Sequence, residues 1–214
     1  TDPMENEYIK SIVTEFEKKL ERKNFQDEIK AGKWMISEIK KIMKNNVALI
    51  YGSDTGSTEY ISEIIAEKLD LKDIAFRDIN GMKPSDFAEY NILILGIPTW
   101  YIGELQTDWD DFFEEFKTID FNGKKVAFFG LGDQYGYPEN FQDGLGILGE
   151  VVLENGGKLY GYWPNEGYDF NESLGIAPNG MFYGLALDED NQRDESNERI
   201  ERWVNQLKEE LKLL

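Results

Sequence analysis

The sequence predicts an α/β fold, a doubly wound parallel sheet with helices on both faces, preceded by N-terminal helices. Two observations carry this. Val47–Tyr51 and Ile92–Ile97 are short apolar runs without polar alternation, as strands covered on both faces require. Between such runs the apolar spacing returns to helical periodicity, and strict alternation of strand and helix means a parallel sheet.

The elements follow in order. Thr1-Asp2-Pro3 before Met4 reads as an expression remnant and is set aside (residues 1–3). Residues 4–45 read as a helical extension. Ile9, Ile12, Val13, Phe16 and Leu20 recur at helical spacing, and Asn24 can cap a second helix carrying Phe25, Ile29, Ile36, Ile39 and Met43. From 46 to 214 the pattern becomes strand–helix alternation. Strands are expected at 47–51, 74–79, 92–97, 126–129, 159–163 and 182–187. Helices are expected around Ile61–Leu69, Trp109–Phe116, Gly146–Leu153 and Ile200–Leu207. Asp188 to Glu198 reads as a solvated acidic loop.

Charge marks the same boundary. Residues 1–45 hold ten basic and nine acidic side chains, while the whole chain carries 23 Lys+Arg against 42 Asp+Glu, a net charge of −19. Such a surface excludes nucleic acid and anionic membrane as partners. Without cysteine there is no thiol chemistry, and without histidine redox or catalytic chemistry falls to a bound cofactor. No apolar run reaches membrane-span length, so the expectation is a soluble, cytoplasmic protein.

In a doubly wound sheet, ligands sit beyond the carboxyl ends of the strands. Ser53, Asp54, Thr55, Gly56, Ser57 and Thr58 lie between a buried strand and a helix start, where backbone N–H groups, hydroxyls and the helix dipole suit a phosphate. No lysine follows the glycine, so this is not a Walker loop. A plain helix-capping turn reads equally well from this loop alone. Trp100 follows Pro98-Thr99 where the sheet has ended, and Tyr135 and Tyr137 occupy a glycine-rich loop at the next strand end. Aromatics on two neighbouring loops above one phosphate cradle suit a flat conjugated ring.

Ser53–Thr58, Pro98-Thr99-Trp100 with Gly103-Glu104-Leu105-Gln106, and Gly132-Asp133-Gln134 through Tyr137 with Asn140-Phe141-Gln142-Asp143 together resemble the flavodoxins. Gly161-Tyr162-Trp163, Gly167–Phe170 and Gly184–Asp190 look like the inserted loop and fifth strand of the long-chain subgroup. The resemblance spans about residues 46–214 and implies a five-stranded sheet of order 2-1-3-4-5. It also implies noncovalent FMN and low-potential one-electron transfer, with no catalytic residue and no metal. Carried over by motif, Ser53 to Thr58 hold the phosphate. In the loop Pro98, Thr99, Trp100, Tyr101, Ile102, Gly103 the tryptophan covers the inner ring face, and Tyr137 stacks on the outer one. Asp133, Asn140 and Gln142, with Gly132 in the same loop, line the pyrimidine edge mostly through backbone, and Asp190 lies near the ribityl chain. The Tyr101–Ile102 peptide is the expected backbone acceptor for a proton on flavin N5, with Tyr101 resisting positive φ.

A ring among acids without a nearby cation resists negative charge, which lowers its potential. The implied partners are redox proteins with basic docking faces: a ferredoxin–NADP reductase-like donor or photosystem, and a low-potential acceptor enzyme. A receiver domain would need acids at Tyr51-Gly52 and Pro98-Thr99, and lacks them. The alternative kept open is a flavin-dependent reductase, such as a quinone reductase, on the same fold.

Overall fold

The computed structural model describes residues 46–213, together with 11, 12, 14, 30 and 32–35, which are helical. The chain divides into two compact units, Thr1–Asn45 and Asn46–Leu214. Most of the two apolar stripes expected over residues 9–43 lies outside the described residues.

The elements of the second unit are β1 (Val47–Tyr51), α1 (Ser57–Leu69), β2 (Ala75–Asp78), a 3-10 turn (Pro84–Glu89), β3 (Ile92–Trp100), β4 (Glu104–Leu105), α2 (Thr107–Phe116), β5 (Lys125–Leu131), α3 (Asp143–Glu154), β6 (Lys158–Tyr160), β7 (Leu185–Leu187) and α4 (Arg193–Leu211). The sheet runs β2-β1-β3-β5-β6, all pairs parallel; β7 also pairs with β5, and β4 folds back antiparallel on β3. The expected five-lane order is therefore present.

Alternate side chains of each strand feed opposite layers, because successive Cβ atoms point to opposite faces. Leu49, Tyr51, Ile92, Ile94 and Phe129 pack with Ile61, Ile65 and Leu69 of α1 and Ile200, Trp203 and Leu207 of α4. Ala48, Ile50, Leu93, Leu95 and Phe128 pack with Phe87, with Trp109, Phe112 and Phe116 of α2, and with Leu145, Leu148 and Val152 of α3. The strands are thus buried on both faces, which is why they read as unbroken apolar runs.

The fifth lane is split. β6 pairs with residues 125–127 of β5 and β7 with residues 129–131, and residues 161–184 form an excursion between them. The run expected to be one strand, Leu159–Trp163, stops at Tyr160. Gly161 turns at φ 71, and its carbonyl accepts the Trp203 indole N–H at 2.7 Å. A Cβ there would lie 2.7 Å from that same indole nitrogen, so the close approach requires glycine. Trp163 pairs instead with Phe182 inside the excursion.

Candidate functional site

Four loops leave the carboxyl edge of the sheet side by side. The register aligns their origins: Tyr51 lies opposite Gly96, Pro98 opposite Leu131, and Leu131 opposite Leu187. Strands in a sheet lie about 4.8 Å apart, so the loops after β1 and β5 emerge about 10 Å from each other across β3.

In the first loop Ser53 Oγ accepts the Gly56 N–H at 3.0 Å, Gly56 turns at φ 85, and the Thr55 and Ser57 hydroxyls stand 3.2 Å apart. Among the described residues no side chain caps α1, which begins at Ser57, so its first-turn N–H groups stay open to an anion. Thr58 is buried behind them. Glu59, the acid of that turn, accepts the Tyr51 hydroxyl at 3.0 Å; burial and this partner push the tyrosine up to about 12. Asp54 is engaged at the N-terminus of α2, by Gln106 Nε2 at 2.8 Å and the Thr107 hydroxyl at 3.2 Å.

The second loop is a reversal from β3 into β4, with Thr99 opposite Leu105 and Trp100 opposite Glu104. The Trp100 indole N–H is buried and makes no hydrogen bond. Thr99 Oγ1 accepts the Gly144 N–H at 3.1 Å, so this side chain anchors the start of α3. Tyr101 and Ile102 are 57% and 74% exposed, an unusual exposure for two large apolar side chains in succession. Tyr101 was expected to resist positive φ, yet it already sits at φ 44, ahead of Gly103 at φ 88. The tight β3–β4 reversal imposes that conformation, a constraint invisible in the local sequence.

The third loop wraps around Asp133. Its Oδ1 accepts the N–H groups of Tyr135 and Gly136 and the Asn191 amide at 2.8 Å. Burial works against ionisation, but those donors outweigh it and hold the carboxyl below its ordinary range. Tyr135 and Tyr137 stand exposed, and the Gly132 N–H donates to Leu187 O at 3.0 Å. The Asn140 amide donates to Asp143 Oδ2 at 2.8 Å. Gln142 is fully buried and donates to Leu187 O at 2.9 Å, its Oε1 unpartnered. Both side-chain amides thus donate within the protein.

The fourth loop corrects the reading of a solvated acidic stretch. Residues from Arg193 onward belong to α4, and Asp188 is fully buried. Its carboxylate accepts the backbone N–H and side-chain amide of Gln134, the Asn191 amide, and the N–H groups of Asp190 and Asn191. Gln134 in turn accepts the Asp169 N–H at 2.6 Å, so one buried amide knots the third loop, the fourth loop and the excursion. Asp190 itself is exposed. Burial and the carboxylates of Asp133, Asp188 and Glu189 raise its pKa. None of the four loops contains lysine or arginine.

This arrangement of loops on a 2-1-3-4-5 sheet has clear relatives. Residues 49–203 match the flavodoxin family. The chain belongs to the flavodoxins. A flavodoxin from a Nostoc strain is 49% identical over 171 residues, covering 80% of this chain and all of its relative. Flavodoxin 1 of Escherichia coli is 49% identical over 166 residues, 77% of this chain and 94% of the other. Among solved structures, Fusobacterium nucleatum flavodoxin bound to flavin mononucleotide superposes with TM-score 0.73 at 33% identity, covering 78% of this chain and 99% of that one.

Three residues of this flavodoxin escaped the sequence reading as organisers of the site: Gln106, Gln134 and Asp188. Only Asp188 left a local signal, an acid directly after an all-apolar strand. Gln106 reaches Asp54 across 52 positions and Gln134 reaches Asp188 across 54, and periodicity says nothing of such contacts.

Proposed function

We propose that this flavodoxin binds FMN noncovalently across the four loops and works as a one-electron carrier in the cytoplasm. The observation that carries the reading is the buried, unpartnered Trp100 indole N–H at the end of β3, with the uncapped N-terminus of α1 following β1, the strand paired with it. A buried donor without an acceptor costs about 1–3 kcal/mol, so a ligand supplying one is favoured there. The residues present fit the group. Ser53, Thr55, Ser57, Thr58 and the α1 N–H groups suit its phosphate, Trp100 and Tyr137 suit a flat ring, and the main chain from Gly132 to Gln142 suits its polar edge. Asp190, in the fourth loop, suits the ribityl chain.

When bound, FMN supplies one-electron acceptance and donation. The chain's own groups position it, exclude water from one face and set the charge around it. Asp133 and Asp190, with no lysine or arginine in the four loops, make an environment that opposes added negative charge and favours a low potential. The same acids steer partners with basic docking faces, a reductase on one side and a low-potential acceptor enzyme on the other. A reductase on this fold is the weaker reading, because the relatives matched along nearly their whole length are flavodoxins.

The test is direct. The purified protein should be yellow, release FMN on denaturation, and stay inert toward NAD(P)H alone. Trp100→Ala should weaken FMN affinity by about 1–3 kcal/mol, the worth of one large aromatic face, read by fluorescence titration. A preparation that takes up no FMN sinks the reading.

A further inference from the structure

Gln106 holds an unusual position. It is fully buried, yet one side-chain nitrogen serves two carboxylates, donating to Asp54 Oδ1 at 2.8 Å and Asp108 Oδ2 at 2.7 Å. Its oxygen accepts the Trp109 N–H at 3.3 Å, the N-cap contact of α2. The amide therefore has one orientation only, since the reverse would set its oxygen against two carboxylates. The backbone just after β1 accommodates it: a Cβ on Gly52 would lie 2.1 Å from Gln106 Oε1 and 2.6 Å from Trp109 Cδ1. Gln106 also directly follows Leu105, which pairs with Thr99, so it belongs to the reversal that bears Trp100.

Asp54 makes this arrangement consequential. It lies two residues before Gly56, the N-cap of α1, so its carboxylate belongs to the loop that leads into that helix N-terminus. A free carboxylate there would compete with a phosphate for the same N–H groups and repel it. In the structure neither Asp54 oxygen is free to do so. One is held by Gln106 and the other by the Thr107 hydroxyl, at the positive end of α2. Among the described residues no side chain caps α1.

We propose that Gln106 is a positioning residue that draws Asp54 onto α2 and thereby keeps the α1 cradle open for the ligand's phosphate. The inference rests on the FMN reading above and goes beyond it in naming what selects the phosphorylated ligand over its unphosphorylated form. Without Gln106, Asp108 keeps the Asn80 amide at 2.6 Å, whereas Asp54 keeps only the longer contact with the Thr107 hydroxyl at 3.2 Å.

The experiment compares FMN with riboflavin, which has the ring but no phosphate. In Gln106→Met, FMN affinity should fall about 10-fold, the effect of losing a hydrogen bond to a charged group, while riboflavin affinity holds. Adding Asp54→Ala should restore FMN affinity, because the competitor is gone. A purely structural role for Gln106 would weaken both ligands alike, without rescue by Asp54→Ala, and either result overturns the proposal. Should Gln106→Met bind neither ligand, exposed Thr107→Val decides, since it removes the other donor to Asp54. A selective fall for FMN supports the proposal there, and an unchanged FMN-to-riboflavin ratio overturns it. If wild-type protein binds no FMN, the cofactor reading itself has failed. If it binds FMN and the variants are unselective, only the role of Gln106 has.

Discussion

Asp190 stands exposed on the fourth loop, and its carboxyl is raised first by partial burial and then by Asp133, Asp188 and Glu189. A folded-state pKa above the unfolded one means the native state binds that proton more tightly. The associated stability is therefore present at low pH and lost as pH rises through the raised value. At neutral pH the ionised Asp190 opposes folding. Asp190→Asn should raise the melting temperature at neutral pH, and the two proteins should converge near pH 3, as thermal unfolding by circular dichroism would record. Tyr101 presents a second residue-scale strain. At φ 44 a side chain with a Cβ costs about 1–2 kcal/mol, part of which glycine gives back through its looser unfolded chain. Tyr101→Gly should stabilise the flavin-free protein by about 0.5–1 kcal/mol in urea denaturation, and a loss of stability would refute the strain.

The excursion over residues 161–184 is an element in its own right, with a core of Trp163, Tyr168, Phe170 and Phe182 around Phe141. Arg199 of α4 lies over the Tyr168 ring at 4.4 Å, and Arg202 lies over Trp163 at 5.1 Å. The Tyr168 hydroxyl donates to Ala186 O at 2.7 Å and accepts the Trp163 indole N–H at 2.9 Å. Burial pushes this tyrosine up to about 12 even though Arg199 pulls it down, so it stays neutral throughout the ordinary range. The excursion also meets the third loop, where Asn171 and Glu172 N–H groups donate to Pro138 O. Tyr168→Phe keeps the ring but leaves a buried indole donor and a carbonyl unpaired. It should cost about 1–3 kcal/mol in chemical denaturation. A variant as stable as wild type would show that the hydroxyl contributes nothing to the excursion's anchoring.

At the scale of the molecule, the chain divides into two compact units, Thr1–Asn45 and Asn46–Leu214. The Nostoc relative is matched over its entire length by 80% of this chain, so a protein of that extent suffices for the fold. All the proposed ligand groups lie between Ser53 and Asp190. Deleting residues 1–45 should leave FMN affinity unchanged within about twofold, roughly 0.4 kcal/mol, the scatter of additivity between independent parts. A fluorescence titration of the shortened chain checks this, and loss of binding would place part of the site's support in the first unit.

The sequence by itself determined the parallel sheet, its order of helices and strands, and the loops that carry chemistry. Those features are written in periodicity, in doubly buried apolar runs and in short polar loops between a strand and a helix, all local signals. It placed Trp100, Tyr137 and Asp133 on the right edge because strand ends can be counted along the chain. Only the tertiary structure decided which side chains of those loops are free. Asp54, Asn140 and Gln142 are drawn into contacts with other groups, Tyr101 is bent into a positive φ by the β3–β4 reversal, and Gly161 ends β6 where Trp203 approaches. Asp188 passed for part of a solvated loop and is instead the buried acceptor that knots two loops. Each of these depends on a partner distant in the chain or on the closure of a turn. Such constraints arise when the sheet brings its strand ends together and its turns close, and apolar periodicity records neither event.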